Sequence, residues 1–294
     1  MFNQQVELSI IIVNYKTASL VINCINSIYH IIQSVLYEII VIDNNSEDEI
    51  ATLLAENYKD VIFVQSGCNA GFGVANNIGF KQAKGEYLLF LNSDTVVYQD
   101  VFGGMIDCLR KDERIGAIGI TLTNEKGKPL HSSGQFPKYL LNLVPSIKNP
   151  VIYANCKLVD VVIGADLMMP RTIFESIGLF DENIFLYEEE MELQFRMRLN
   201  GYWGVISQLT GIYHLEGKSS SSSFRQKCMF ESACYIIKKY RGGYYYRYYR
   251  LLRVTKALCA LIKNTITSRD IQLLRSKLDF LIYTFTYHEI RNAK

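Results

Sequence analysis

Several polar segments of this chain could hold a cation or move a proton. Asn92-Ser93-Asp94 follows the apolar run 88–91 and presents two oxygen-bearing side chains two residues apart. Oxygen ligands suit Mg²⁺ or Mn²⁺, which typically take one or two protein groups together with substrate phosphates. Because the same residues also favour an Asx-type turn, the segment alone leaves a cation site and a turn equally open.

Four carboxylates are concentrated in the segment Glu188-Glu189-Glu190-Met191-Glu192. The preceding residues 185–187 are apolar, which places these acids at the edge of a pocket, where one could act as a general base. Acidic residues also suit the start of a helix, and Glu192 can pair with Arg196 one turn later. A purely structural role for the cluster therefore stays open at this point.

Two single residues have a similar ambiguity. Asp43 ends an apolar run and could accept a hydrogen bond from a nucleobase or a ribose hydroxyl, or could cap a helix. His214 lies between apolar residues, where a histidine is more often structural than a ligand. The glycine-containing segment 69–79 lacks the third glycine of the dinucleotide fingerprint and follows the third apolar run, which argues against a nicotinamide enzyme.

The elements that must position these residues are strands alternating with helices. Continuous β-branched runs at 8–13, 38–43, 61–65 and 87–91 predict strands buried on both faces. Helical patterns lie between them, at 18–33, 47–57 and 72–84, the second opening on a capping-box spelling at Ser46–Glu49. This alternation predicts an α/β sheet with its ligands at the carboxyl ends of the strands.

The second half of the chain continues the pattern less regularly. It predicts a helix near 100–111, a strand at 159–169, a helix at 188–200 and short strands at 202–206 and 211–215. The serine run Ser219–Ser223 predicts a flexible loop. We therefore expect one domain over residues 1–220 and a second segment over 221–294.

Charge separates the two segments further. Residues 1–224 contain 16 basic and 25 acidic residues, a net charge of −9, whereas residues 225–294 contain 15 and 4, a net charge of +11. No apolar run reaches the roughly 18–20 residues of a membrane-spanning helix, and the first residues lack the layout of a signal peptide. The seven cysteines form no C-x-x-C pair. These features predict a cytoplasmic protein with reduced thiols.

Taken in order, the motifs resemble the inverting glycosyltransferase family 2, and most of all its bacterial rhamnosyltransferase-like branch. The resemblance covers residues 8 to 219 and rests on seven segments: SIIIVNYKT, EIIVIDNNSED, NAGFGVANNIG, GEYLLFLNSDT, GADLMMPR, IGLFDENIFLYEEEMELQFRMRLNGY and YHLEGKS. It implies the GT-A fold, a Rossmann-like mixed sheet with helices on both faces, here followed by a helical C-terminal extension.

The resemblance also implies a role for each site residue. Asn92-Ser93-Asp94 matches the D-x-D element, with Asp94 and His214 as metal ligands for Mg²⁺ or Mn²⁺. Glu189-Glu190 matches the acidic pair that supplies the catalytic base, which places Glu190 in the base position. Position 92 is Asn where the family has Asp, and position 190 is Glu where Asp is usual. The nucleotide-sugar would be bound by Asn14, Tyr15, Asp43, Asn69, Gly71, Phe72, Asn77, Asn92, Ser93, Asp94, Gly164 and Ala165.

The substrates implied are a dTDP- or UDP-sugar donor, with dTDP-rhamnose first, and a glycan or polyprenyl-linked acceptor used in surface polysaccharide assembly. Two alternatives stay open at this point: a sugar nucleotidyltransferase, which also uses a nucleotide and a metal, and a catalytically inactive nucleotide-sugar-binding or scaffold protein. Donor hydrolysis would separate the inactive protein from an enzyme.

The basic C-terminal segment predicts a membrane-facing helix. At 3.6 residues per turn, Tyr244, Tyr248, Leu251, Leu258 and Ile262 share one face, and Arg250, Arg253, Lys256 and Lys263 share the other. Basic and aromatic amphipathic helices suit anionic membrane interfaces. We expect peripheral binding at the inner face of the cell membrane, against the alternative of a helical cap on the catalytic domain. Nucleic acid is not expected, because no recognised binding module accompanies the charge.

Overall fold

The computed structural model describes residues 5–147, 155–215, 222–267 and 271–287. Within these ranges the strands are β1 (Leu8–Asn14), β2 (Tyr37–Asp43), β3 (Ile62–Gln65), β4 (Tyr87–Asn92), β5 (Thr95–Val97), β6 (Ile115–Ile120), β7 (Ser133–Gly134), β8 (Cys156–Val159), β9 (Val161–Val162), β10 (Asp166–Pro170), β11 (Trp203–Ser207) and β12 (Ile212–His214). The helices are α1 (Ala18–Ile31), α2 (Ile50–Asn57), α3 (Phe72–Phe80), α4 (Phe102–Lys111), α5 (Lys138–Leu141), α6 (Arg171–Ser176), α7 (Glu189–Leu199), α8 (Ser222–Thr267) and α9 (Ile271–Thr286).

Eight of the described strands form one mixed sheet in the order β3-β2-β1-β4-β10-β6-β11-β8. The first four strands are parallel, and β10 runs antiparallel to both of its neighbours. Within the parallel group, Asn14 at the end of β1 is in register with Asp43 at the end of β2. The carboxyl ends of these strands therefore meet at one edge, as the sequence predicts.

The parallel strands are buried on both faces, because helices cover the sheet on each side. Ile10 and Ile12 of β1 belong to a core shared with α1, α2 and α4, whereas Ile11 belongs to a second core shared with α3, α6 and α7. α3 approaches the sheet closely, since a Cβ at Gly79 would lie 2.6 Å from Cγ2 of Ile11. This close approach fixes the start of α3 at the carboxyl edge of the sheet.

Several predicted elements differ in their bounds. α2 begins at Ile50 without a side-chain cap, because the Ser46 hydroxyl bonds to Asn14 and Lys16 instead. The strand predicted at 159–169 is divided into the end of β8, β9 and β10. Part of the YHLEGKS motif and of the serine run, residues 216–221, lies outside the described residues, while Ser222 begins α8.

The chain divides into two compact units. The first is Met1–Glu182 with Glu189–Ser219, and the second is Asn183–Glu188 with Ser220–Lys294. The expected division at residue 220 places residues 183–188 in the first segment, whereas the contacts group them with the second unit.

The second unit is built on α8 and α9. Gly242, with φ +78° and ψ 179°, interrupts α8, which therefore consists of two helical stretches. Phe230 is buried and contacts the rings of Tyr249, Phe280, Tyr283 and Tyr287. This aromatic cluster holds α9 against both stretches of α8. Among the described residues, no helix is both long and apolar enough to cross a membrane.

Candidate active site

A buried polar network joins the ends of β1 and β2. The Asn14 amide nitrogen lies 2.9 Å from Asp43 Oδ1 and 2.9 Å from Ser46 Oγ, and the Ser46 backbone N–H donates to Asp43 Oδ2. Asn14 is fully buried, and Asp43 is only 3% exposed. Tyr15, the next residue, is exposed at the same edge. The structure thus brings Asn14 and Asp43 together, with Asn14 holding the carboxylate and Tyr15 open to solvent.

The turns after β1 and β2 have an unusual backbone. Lys16, Asn45 and Glu47 have φ values of 58°, 60° and 57°. Residues other than glycine rarely occupy this left-handed region, and such conformations are maintained only where the surroundings impose them. The hydrogen bond from the Lys16 N–H to Ser46 Oγ helps to maintain this conformation in the turn after β1.

Asn44 organises the loop before α3. Its Nδ2 donates to Asn69 Oδ1 at 3.0 Å and to the carbonyl of Gly71 at 3.3 Å, and its Oδ1 accepts the N–H of Ala70. Gly71 has a φ of +95°, a conformation that favours glycine. Asn44, which is not among the predicted site residues, therefore holds Asn69 and Gly71 at the carboxyl edge, and Phe72 follows them as the first residue of α3.

Asn77 has protein partners at both ends of its amide. Nδ2 donates to the carbonyl of Phe180 at 2.9 Å, and Oδ1 accepts the Phe180 N–H at 3.1 Å. The side chain is 2% exposed. In this structure Asn77 joins α3 to the chain that follows α6. Its amide is used in this structural contact, so its predicted role at the diphosphate stays a prediction.

The D-x-D-like segment continues from β4. The backbone N–H of Asn92 donates to the carbonyl of Ala165 at 3.1 Å. The hydroxyl of Thr17, in the turn after β1, donates to Ser93 Oγ at 3.2 Å. The segment is thus tied to β1 on one side and to the predicted residue Ala165 on the other.

His214 reaches Asp94 through a small second sheet. β12 pairs with β5 in antiparallel fashion, so that His214 is opposite Thr95. The Leu215 N–H also donates to the carbonyl of Asp94 at 2.9 Å. As a result, Nε2 of His214 lies 3.3 Å from Oδ1 of Asp94, although the two residues are 120 positions apart.

The donor atoms of this pair fit one divalent cation. Adjacent ligands of an octahedral Mg²⁺ are about 3 Å apart, because each metal–oxygen bond is about 2.1 Å. The observed 3.3 Å is close to that separation. No group of three or more His, Cys, Asp or Glu side chains that could hold a metal occurs in the described ranges. Asp94 and His214 would therefore be the protein ligands, with substrate phosphates completing the shell.

Glu190 stands in the first turn of α7. The preceding residues Tyr187 and Glu188 have φ values of 64° and 72°, so the helix begins at Glu189 and not at 188 as predicted. Desolvation raises the pKa of Glu190, and the backbone N–H groups of Glu190 itself and of Gly164 partly offset this effect. A raised pKa in a half-buried carboxylate suits a general base. Glu189 is buried, at 5% exposure.

Two side chains hold α7 and its base in place. Gln194 uses both ends of its amide on Val162: Nε2 donates to the carbonyl at 2.7 Å, and Oε1 accepts the N–H at 2.8 Å. This pairing fixes the chain just before Gly164. Glu192, fully buried, binds Arg196 through both carboxylate oxygens, as its spacing predicts.

Asp166 is a buried carboxyl that sequence reasoning missed. It is fully buried, and its Oδ2 accepts the N–H of Ile120 at 2.7 Å, while Oδ1 has no hydrogen-bond partner among the described atoms. Burial raises its pKa from 3.8 to about 7, against the opposing effects of the Ile120 N–H and the charge of His214. Its position inside the apolar run ADLMM was the one available signal, because an acid in a central strand requires a specific partner.

Comparisons with known proteins agree with this geometry. Residues 9–167 match the family described as Glycosyl transferase family 2. The low-salt glycan biosynthesis hexosyltransferase Agl10 of Haloferax volcanii is 30% identical over 199 residues, 65% of this chain and 62% of that protein. A poly-beta-1,6-N-acetyl-D-glucosamine synthase of Staphylococcus aureus is 28% identical over 167 residues, 56% of this chain and 39% of that enzyme. The chain thus aligns with less than two thirds of the length of either relative.

Solved structures show the same fold. Mannosyltransferase PcManGT from Pyrobaculum calidifontis, in complex with GDP-Man and Mn²⁺, superimposes with a TM-score of 0.60 at 16% identity, over 96% of this chain and 82% of that one. GalNAc-T7 with UDP, GalNAc and Mn²⁺ gives a TM-score of 0.62 at 16% identity, over 96% and 56%. The fold is GT-A, and the chain belongs to glycosyltransferase family 2.

Proposed function

We propose that the chain is an inverting, metal-dependent glycosyltransferase that moves a sugar from a nucleotide-sugar to a glycan or lipid-linked acceptor in cell-surface polysaccharide biosynthesis. One observation carries the proposal. Gly164 packs against Glu190, since a Cβ at Gly164 would lie 3.8 Å from the Glu190 carboxyl carbon, and the carbonyl of the adjacent Ala165 accepts the Asn92 N–H, so one short segment joins the base candidate to the cation-binding segment. A proton acceptor and a diphosphate-binding cation site are the two parts that glycosyl transfer needs.

At the donor side, Asp94 and His214 would hold Mg²⁺ or Mn²⁺, which when bound neutralises the charge that develops on the leaving diphosphate. Asn14 keeps the Asp43 carboxylate oriented at the sheet edge, and Asn44 fixes the loop that carries Asn69 and Gly71. These contacts support a preformed site for the nucleotide and diphosphate.

At the acceptor side, Glu190 takes the proton of an acceptor hydroxyl. The hydroxyl oxygen forms a bond to the anomeric carbon while the bond from that carbon to the diphosphate oxygen breaks. The nucleoside diphosphate departs with the electron pair, and attack from the opposite face inverts the anomeric centre. Positioned general bases typically contribute about 10²–10⁴-fold to such steps.

The donor we propose is a dTDP- or UDP-sugar, with rhamnose as the first candidate sugar. Solved structures with a similar fold include complexes with UDP-GlcNAc and with GDP-Man, which supports a nucleotide-sugar donor without selecting one. The relatives named for glycan biosynthesis and poly-N-acetylglucosamine synthesis support a glycan product.

We also propose that residues 221–294 attach the catalytic domain 1–220 to an anionic membrane. Along the second stretch of α8, the predicted apolar face is open to solvent: Tyr244 is 84% exposed and Leu251 is 62% exposed. Arg247 is exposed beside this face, and Lys256 is exposed on the opposite face. An outward apolar stripe on a helix that also exposes cations supports contact with an anionic leaflet.

One part of the predicted helical arrangement is wrong. Arg250 and Arg253 do not form a solvated basic face: Arg250 Nη2 donates to the carbonyls of Thr284 and Phe285, and the Arg253 guanidinium lies over the Phe280 ring. The physical reason is that α9 covers this face of α8. Replacing these two arginines would therefore loosen the helix pair, and Arg247 and Lys256 are the suitable residues for testing membrane contact.

A screen of nucleotide-sugars by thermal shift, with Mn²⁺ or Mg²⁺ present, tests the proposed function. We expect a dTDP- or UDP-sugar to raise the melting temperature only when the metal is present, because the cation bridges protein and diphosphate. Release of the nucleoside diphosphate would then separate a working enzyme from an inactive binding protein. Release of pyrophosphate from a nucleoside triphosphate and a sugar 1-phosphate, with no release of nucleoside diphosphate from the nucleotide-sugar, would instead indicate a nucleotidyltransferase.

A further inference from the structure

The second unit contains a cavity that the proposed mechanism does not use. Its volume is about 290 Å³. The lining combines aromatic and apolar side chains with polar and charged ones, namely Asn183, Phe185, Leu186, Cys228, Glu231, Ser232, Tyr235, Lys238, Lys239 and Tyr287. All ten residues belong to the second unit.

Hydrogen bonds build the walls of this cavity. Asn183 Nδ2 donates to the Tyr235 hydroxyl at 3.2 Å, and the Ser232 hydroxyl donates to the carbonyl of Leu186 at 3.2 Å. On the other side, the Tyr283 hydroxyl donates to Glu231. These hydrogen bonds hold the segment 183–186 against the first stretch of α8. The cavity walls are therefore fixed by contacts within the second unit.

The lining chemistry selects among ligands. A hydrocarbon chain would displace water from the charged groups of Glu231, Lys238 and Lys239, at a cost that buried charges rarely tolerate. A phosphate group would meet the carboxylate of Glu231 as well as the two lysines, so a neutral ligand suits this lining of mixed charge better. A sugar ring suits both halves of the wall, because its C–H face can pack on Phe185 or Tyr235 while its hydroxyls bond to the polar groups. The volume is near the lower end of the range for small-molecule sites, about 300–1,000 Å³.

The cavity is close in sequence to the proposed base, because Leu186, in the cavity wall, precedes Glu190 by four residues.

We propose that this cavity binds a sugar residue of the acceptor glycan. The inference rests on the proposed transferase function for the identity of the glycan as acceptor, but the binding itself does not require turnover. Its role would be to anchor the acceptor at a sugar other than the one that receives the transferred group.

The test uses the full chain and methyl glycosides of rhamnose, glucose, galactose, mannose and N-acetylglucosamine as probes, observed by saturation-transfer NMR. We expect at least one glycoside to bind with a millimolar dissociation constant. Leu186→Trp, which fills the cavity, should abolish that binding. Glu231→Gln keeps an acceptor for Tyr283 and should weaken binding about tenfold, the effect of losing charge-assisted hydrogen bonds to the sugar.

Tyr240→Phe is the matched control, because Tyr240 lies on α8 but does not line the cavity; it should leave binding unchanged. Unchanged glycoside binding in both cavity variants, or none to the wild-type chain, would overturn the inference. If Leu186→Trp does not fold, Glu231→Gln decides. Glycoside binding that disappears in the cavity variants, in a chain that turns over no nucleotide-sugar, would reject the proposed function and retain the cavity site.

Discussion

The carboxyl edge of the main sheet and the second stretch of α8 differ in which side chains they bury. At the sheet edge, polar residues such as Asn14 and Asp43 are buried in a hydrogen-bonded network. On α8, the apolar Tyr244 and Leu251 point to solvent, while Arg250 is turned inward onto α9. Buried, hydrogen-bonded polar groups fix the geometry of a site, whereas a group of exposed apolar side chains is typical of a surface that binds another molecule. The first region therefore has a preformed arrangement of polar groups, whereas the role proposed for the second requires an external surface.

The largest effect should come from removing the carboxylate of Asp94, one of the two proposed ligands of the cation. We expect Asp94→Ala to lower transfer by about three orders of magnitude or more, because metal stabilisation of a leaving group is worth several kcal/mol. The measurement is the initial rate of nucleoside-diphosphate release. Asp107→Ala, at an exposed acid on α4, is the control and should leave the rate unchanged. Wild-type activity in Asp94→Ala would remove the metal from the account.

The base assignment should give the next largest effect. We expect Glu190→Gln to reduce kcat by about 10²–10⁴-fold with little change in donor affinity, since the amide keeps the shape and loses the basicity. Because the pKa of Glu190 is raised, the rate should fall as pH drops through a value above the usual range for glutamate. Glu189→Gln is the paired variant. If it alone is inactive, the base is the neighbouring residue.

Asp166 extends the comparison to a carboxyl group buried inside the sheet. With a pKa of about 7 against 3.8, the folded protein retains a proton that the unfolded chain releases, so wild-type stability falls as pH rises from about 4 to about 7. Asp166→Asn has no such proton to lose. We expect the melting temperature of the variant, relative to wild type, to increase across this range by several degrees. A difference independent of pH would contradict a buried, titrating Asp166.

The smallest effect concerns the membrane surface. Each basic residue near an anionic leaflet contributes roughly 1 kcal/mol, so Arg247→Gln with Lys256→Gln should weaken vesicle binding by about thirtyfold. Co-sedimentation with phosphatidylserine-containing and purely zwitterionic vesicles measures this, and the loss should diminish at high salt. Donor hydrolysis should be unaffected. Equal pelleting with both vesicle types would indicate that the exposed stripe has another partner.

The sequence was most informative where one short segment determined its own structure. The apolar run of β1 predicts a strand that the structure places at Leu8–Asn14, and the parallel arrangement then predicts that Asn14 meets Asp43. The site residues that depend on local strand ends were predicted for this reason. Asp94 and His214 were paired only through the family resemblance, because β5 and β12 are far apart in the chain.

Other features depend on contacts that no local pattern contains. The amide of Asn77 is bound by Phe180, which lies 103 residues away. The start of α7 is set by two residues with positive φ, neither of them glycine. A helical wheel separated Arg250 from Tyr244 correctly, but it could not show which face α9 would cover.

The most direct test of the central claim is nucleoside-diphosphate release by the wild-type chain from UDP- and dTDP-sugars, with a membrane lipid extract as acceptor, in Mn²⁺ and in excess EDTA. The account predicts release from at least one donor in Mn²⁺, loss of that release in EDTA, and a lipid-linked product with an inverted anomeric centre. Equal release in EDTA, or retention of the anomeric configuration, would contradict it.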